Sequence, residues 1–148
     1  MVNLSKVNQA CWQQDKITLQ AIRRTVFVEE QNVPEELEWD VEDLSAFHFL
    51  FYSFQGEAVA CARLLHKGQI GRMAVLKQYR YQGIGSNLLE HIIKFSEQNK
   101  ISPLFLYAQN HAISFYKKHG FHIKGNEFMD AGIAHHKMKY SNGLSSTQ

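Results

Sequence analysis

The stretch Ile70-Gly71-Arg72-Met73-Ala74-Val75, followed shortly by Arg80-Tyr81-Gln82-Gly83-Ile84-Gly85-Ser86, limits what this chain can fold into more than any other segment. An apolar strand ends, a basic glycine-bearing loop follows, and a helix begins at once. Over Ile84 to Gln98 the residues Ile84, Leu88, Leu89, Ile92, Ile93 and Phe95 recur at helical spacing, with Asn87, Glu90, His91, Lys94 and Glu97 mostly opposite. A junction of this kind is an anion cradle. The first N–H groups of a helix have no intrahelical acceptor, the helix dipole is positive at that end, and glycines let backbone approach a ligand closely. Arg80 adds a guanidinium, and the anion such a cradle suits is a pyrophosphate. Taken alone, the Gly83-x-Gly85 pair is equally at home in a plain tight turn. The motif lacks the Gly-Lys-Ser/Thr of a Walker loop and the third glycine of a dinucleotide fold, and no acidic residue ends the next strand, so ATP and NAD are disfavoured.

Around this junction the spacing predicts a helix over Lys16 to Glu30 capped by Asp15, a break at Pro34, an acidic loop at Trp39 to Asp43, and strands at Ala46 to Phe54, Ala58 to Leu65 and Gln69 to Val75. After the long helix come a strand over Pro103 to Ala108, a short helix over Ala112 to Lys118 stopped by Gly120, and a final strand pair within Phe121 to Met138. The element order is β, α, three strands, α, β, α, β, β. It describes an α+β (mixed α/β) fold, a mixed twisted sheet with helices on its faces, over residues 1–140, with a polar tail at 141–148 expected to fray. At 148 residues with 45% hydrophobic content the chain is expected to form one domain with a core that needs no staple. Cys11 and Cys61 are too few and too far apart for a disulfide framework or a four-cysteine zinc site. A net charge of +2 gives no basic excess for nucleic acid, and no apolar run suits a signal or a membrane span, so the expectation is a cytoplasmic protein without nucleic-acid or membrane partners.

A second cluster, Asn110-His111-Ala112-Ile113-Ser114-Phe115-Tyr116-Lys117-Lys118-His119-Gly120-Phe121, follows one strand after the long helix. Arg80-x-x-Gly83-x-Gly85 and Asn110-x-Ala112-x-x-Phe115-Tyr116-x-x-x-Gly120-Phe121, at this spacing, resemble the GNAT superfamily of acyl-CoA-dependent N-acyltransferases. Val26-Phe27-Val28-Glu29-Glu30-Gln31 and Ala131-Gly132-Ile133-Ala134-His135 resemble its small bacterial ElaA-like branch. The resemblance implies acetyl-CoA as cosubstrate, its pantetheine arm lying in a V-shaped gap between two splayed parallel strands, Gln69 to Val75 and Leu104 to Ala108. It implies cofactor contacts from Met73, Ala74 and Val75, from Arg80, Gln82, Gly83, Ile84, Gly85 and Ser86 at the pyrophosphate, and from Asn110, Phe115 and Tyr116. Tyr116 is the implied acid for the leaving thiolate. Tyr81 stands where the family often has glycine.

An alkyl ammonium must lose its proton before it can attack a thioester, so a base or water relay is required. Glu29 and Glu30 end the first helix, where the family lines its acceptor pocket, and His48 or His135 are alternatives; consecutive glutamates also make an ordinary solvated face. The eight histidines include His135-His136 alongside His48 and His66, but neighbours on a strand point to opposite faces, so no metal is expected. Met73, Met129 and Met138 read as packing residues and Cys61 as a small buried hydrophobe. The acidic run of Glu29, Glu30, Glu35, Glu36, Glu38, Asp40, Glu42 and Asp43 would suit a cationic acceptor or simply face solvent. The function expected is acetyl transfer to a primary amine of a small molecule or peptide, by direct attack in a ternary complex. The alternative is a non-catalytic acyl-CoA-binding sensor or interaction module. Members of the family often pair, and Phe47 to Phe54 would serve a homodimer interface if one face were exposed.

Overall fold

The computed structural model describes residues 6–141, so nearly all of the tail lies outside the described residues. Strands β1 (Lys6–Ala10), β2 (Phe47–Tyr52), β3 (Ala58–Leu64), β4 (Gln69–Val75), β5 (Phe105–Gln109), β6 (Phe121–Ile123), β7 (Phe128–Asp130) and β8 (Ile133–Tyr140) form one sheet. Its order is β1-β2-β3-β4-β5-β8-β6, with β7 paired to β8. Every neighbouring pair is antiparallel except β4 and β5.

Alternation along the strands divides the core into two layers. Phe49, Phe51, Ala60, Ala62 and Leu64 face helix α3 (Ile84–Gln98), which presents the fully buried Leu88, Leu89 and Ile92. Leu50, Cys61 and Ala74 face the opposite way, against Leu19, Ile22 and Val26 of helix α1 (Trp12–Arg23) and the turns that continue it. The helix α3 has the bounds its apolar stripe predicts. The short helix α4 (Ile113–Lys118) sits between β5 and β6 in sequence. Interior to the sheet, with Phe49, Leu50 and Phe51 all buried, β2 offers no exposed face for an interface; of that aromatic stretch Phe54 is the exposed ring.

Three elements differ from expectation. The first helix starts earlier, with Cys11 at its N-cap, and Asp15 caps from inside the helix by accepting the Cys11 N–H at 2.9 Å. Its second half, Arg24–Glu30, winds as a π-helix closed by Gln31 N–H to Val26 C=O at 3.1 Å, which re-aims the residues at its end. The acidic run is ordered, not looped: helix α2 (Glu35–Glu38) and a 3₁₀ turn (Val41–Leu44) occupy it. Finally, the C-terminal pair is a set of three strands, because Ala131 and Gly132, both at positive φ, reverse the chain between β7 and β8.

Candidate active site

The gap at the centre of the sheet begins with the register of β4. It pairs with β3 as Cys61↔Ala74 and as Arg63↔Gly71, so β4 carries one extra residue between these rungs. Arg72 has φ of 50° there, which marks a β-bulge. On its other side β4 is parallel to β5 at Gln69↔Phe105 and Ile70↔Leu106, and the pairing then stops. Beyond those two rungs the strands part, leaving Met73, Ala74 and Val75 on one side and Tyr107 to Gln109 on the other without a mutual ladder. At the closed end Gly68 is irreplaceable, since a Cβ there would lie 2.0 Å from the Pro103 carbonyl oxygen.

Helix α3 starts at the open side of this gap. Gly83, at φ of 83°, is its N-cap, no side chain caps it, and the first helical bond is Asn87 N–H to Gly83 C=O at 3.0 Å. The amides of Gln82, Gly83, Ile84, Gly85 and Ser86 donate to no acceptor among the described residues. Nothing lies within 4 Å of a Cβ built on Gly83, whereas one on Gly85 would touch the Phe115 ring at 3.4 Å, so α4 is packed against the first turn of α3. Tyr81 takes φ of 64° with its side chain wholly in solvent, which explains why glycine suits this position and how tyrosine is tolerated.

Arg80, beside the loop, has protein partners. Its Nε donates to the Val75 carbonyl at 2.8 Å and both terminal nitrogens donate to the Glu30 carboxylate at 2.7 Å, which fixes the guanidinium beside the loop. The same contact bears on Glu30: hydrogen bonding by Arg80 holds its carboxyl below the usual range, which makes it a poor proton acceptor. Glu29, one residue earlier, is exposed and makes no ion pair among the described residues.

Tyr116, on α4, is half-buried, and burial pushes its phenol up to about 12. Its hydroxyl points to Met73 Sδ on β4 at 3.8 Å, so helix α4 delivers it to the splayed segment. The rings of Phe115 and Phe121 flank it, with centroids 5.0 and 6.0 Å away. Asn110, at the end of β5, is held from both sides: it donates to Glu127 Oε1 at 2.8 Å, and its Oδ1 lies 2.8 Å from His136 Nδ1.

The remaining histidine expectations resolve separately. His48 is fully buried in β2, bonded to the Asp43 carbonyl at 2.9 Å and stacked on Trp12, and burial holds it below the usual imidazole range. His135 is buried, its Nδ1 2.7 Å from the Ile133 carbonyl and its ring stacked on Phe128. His136 turns instead to Asn110, and no cluster of three His, Cys, Asp or Glu residues suits a metal among the described residues.

Much of the acidic run is paired internally, with Glu29, Glu36 and Glu42 left exposed. Arg23 bonds Glu38 and Asp43 at 2.8 Å each, Arg63 bonds Asp40 at 2.8 Å and Asp43 at 2.9 Å, and Arg72 pairs with Glu38 at 3.0 Å and Asp40 at 3.1 Å. Arg24 pairs with Glu35. Burial raises Glu38 despite its arginines, whereas Arg23 and Arg63 overcome burial and hold Asp43 low. This buried lattice joins α1, α2 and the β4 bulge, so Glu38, Asp40 and Asp43 serve as scaffold. Two further contacts carried no sequence signal, because their partners are remote in the chain: Gln109 Nε2 donates to Gln31 Oε1 at 2.8 Å, across the open end of the gap, and Ser86 Oγ lies 3.0 Å from His119 Nε2.

Comparison with known proteins agrees with this geometry. Residues 9–142 match the family model described as an acetyltransferase (GNAT) domain. The uncharacterized N-acetyltransferase YjcF of Bacillus subtilis is 37% identical over 121 residues, covering 79% of this chain and 86% of the relative. The crystal structure of Escherichia coli ElaA superposes with a TM-score of 0.82 at 27% identity, over 92% of this chain and 99% of that one. A GNAT family acetyltransferase from Elizabethkingia anophelis, solved with acetyl-CoA bound, shares the fold with a TM-score of 0.67 at 18% identity, over 93% and 96% of the two chains. With its split sheet, amide cradle and matching relatives, this chain belongs to the GNAT acetyltransferase family.

Proposed function

We propose that the chain is an N-acetyltransferase that moves an acetyl group from acetyl-CoA to a primary amine by direct attack in a ternary complex. The observation that carries the reading is the coincidence of five unpartnered amides, Gln82 to Ser86, with a gap whose wall holds the Tyr116 hydroxyl. These residues fit a diphosphate-bearing thioester: the amides would take the diphosphate, the free edges of Met73, Ala74 and Val75 would take the amide-rich arm, and Asn110 stands at the end of β5 where that arm passes. The acetyl-CoA-bound structural neighbour supports the choice of cosubstrate. Acetyl-CoA, when bound, supplies a carbonyl for a neutral amine and a thiolate that needs a proton as the C–S bond breaks. Tyr116 is suited to donate it, because a phenol raised to about 12 keeps its proton at neutral pH. Of the two carboxylates weighed as base, Glu29 has no ion-pair partner among the described residues, and the reading assigns it the amine's proton, directly or through water.

The test follows thiol release from acetyl-CoA across a panel of amines, polyamines, amino sugars and peptides. Acceptor-dependent release is expected, and Tyr116→Phe is expected to lower turnover by ~10²–10⁴ with acetyl-CoA affinity nearly unchanged. Unchanged turnover removes Tyr116 from the reaction. Tight binding without acceptor-dependent release makes the protein an acyl-CoA-binding module instead.

A further inference from the structure

Ser86 has a free first-turn amide, and its hydroxyl is tied to an imidazole. His119, the residue that ends α4, sets Nε2 3.0 Å from Ser86 Oγ and Nδ1 3.7 Å from Glu90 Oε2. Its side chain is 14% exposed and packs on the Phe115 ring, 5.1 Å between centroids. Glu90 is the charged group on α3 that meets the ring; on α4 itself Lys117 and Lys118 are exposed, and on β6 His122 is exposed.

A hydroxyl has a single hydrogen, so the state of Nε2 decides where it goes. In the neutral imidazole with its hydrogen on Nδ1, toward Glu90, Nε2 is a lone pair and the Ser86 hydrogen is spent on it. In the imidazolium, Nε2 donates to Ser86 Oγ, and the hydroxyl hydrogen is released to an acceptor at the mouth of the cradle. One proton therefore adds both a positive charge and a hydrogen-bond donor beside the α3 amides. We propose that His119 is a positioning residue for the coenzyme A diphosphate, acting through Ser86, and that the cradle binds its anion with uptake of a proton. The inference rests on the reading of the cradle as the diphosphate site. Its sign follows from linkage: a bound anion favours the imidazolium, so binding takes up a proton and weakens as pH rises.

The probe is dephospho-coenzyme A, which keeps the diphosphate and lacks the phosphomonoester that would itself titrate near pH 6. Calorimetric titration from pH 5.5 to 8.5, in two buffers of different ionisation enthalpy, is expected to give about tenfold weaker binding at the alkaline end, the difference between a charge-assisted and an ordinary hydrogen bond. Buffer-dependent heats are expected to report proton uptake on binding. Both effects are expected to vanish in His119→Gln, and to shrink in Ser86→Ala, which keeps the imidazole's charge and removes the coupled hydroxyl. A pH-independent affinity in the native protein, a pH dependence that survives His119→Gln, or one left undiminished by Ser86→Ala overturns the proposal while leaving the diphosphate site standing. Absence of binding at every pH removes the diphosphate reading itself, and this inference with it.

Discussion

Glu30 gives both carboxylate oxygens to Arg80, and a carboxylate held that way has low affinity for a proton. Its substitution by Gln is therefore expected to cost turnover far less than the ~10²–10⁴ typical of a lost proton carrier. Steady-state thiol release measures this, and a loss of that size would return Glu30 to the chemistry. Tyr116 makes the opposite case: nothing charged touches it, and burial alone keeps its hydrogen in place. Gly83, Gly85 and Tyr116 could be singled out in the sequence because the turn at Gly83 and the packing of Phe115 on Gly85 involve motifs that can be read locally. The sequence could not show that Arg80 meets Glu30, fifty residues away on the π-helical turn, and it had no means of pairing Ser86 with His119.

Helix α3 could be read directly from its apolar period, because a helix that packs on a sheet needs a stripe and the stripe is visible in one dimension. The bulge in β4 could not. Arg72 is held by Glu38 and Asp40, and those carboxylates come from a stretch that looks solvated because exposed and buried acids have the same letters. Only the fold reveals that Arg23, Glu38 and Asp43 are each almost wholly buried. Removing one member strands the charge of the others: Arg23→Met is expected to destabilise the protein by about 3–5 kcal/mol, read from the shift of the urea midpoint. A change below ~1 kcal/mol would mean that water reaches Glu38 and Asp43 more freely than their burial indicates.

For the whole molecule, two imidazoles tie stability to pH. Burial holds both His48 and His91 below the usual range, so the unfolded chain takes up a proton before the folded one does. Their contribution is therefore complete above the ordinary imidazole range and diminishes on acidification through it. The urea midpoint is expected to fall between pH 7.5 and pH 5.5, with a shallower fall in His48→Asn; a midpoint that rises toward acid would contradict the burial of these rings.

The strand order adds a mechanical corollary. Two backbone rungs, at Gln69–Phe105 and Ile70–Leu106, tie the first four strands to the last four, with Gly68 wedged against Pro103 behind them. The sheet is thus built like a clothes-peg: a stiff pivot, two jaws each braced by its own ladder, and the Gln31–Gln109 amide pair as a clasp between them. Small rotations at the pivot change the width between the jaws without breaking a ladder bond in either. The clasp, rather than the jaws, is the first thing such a rotation would undo.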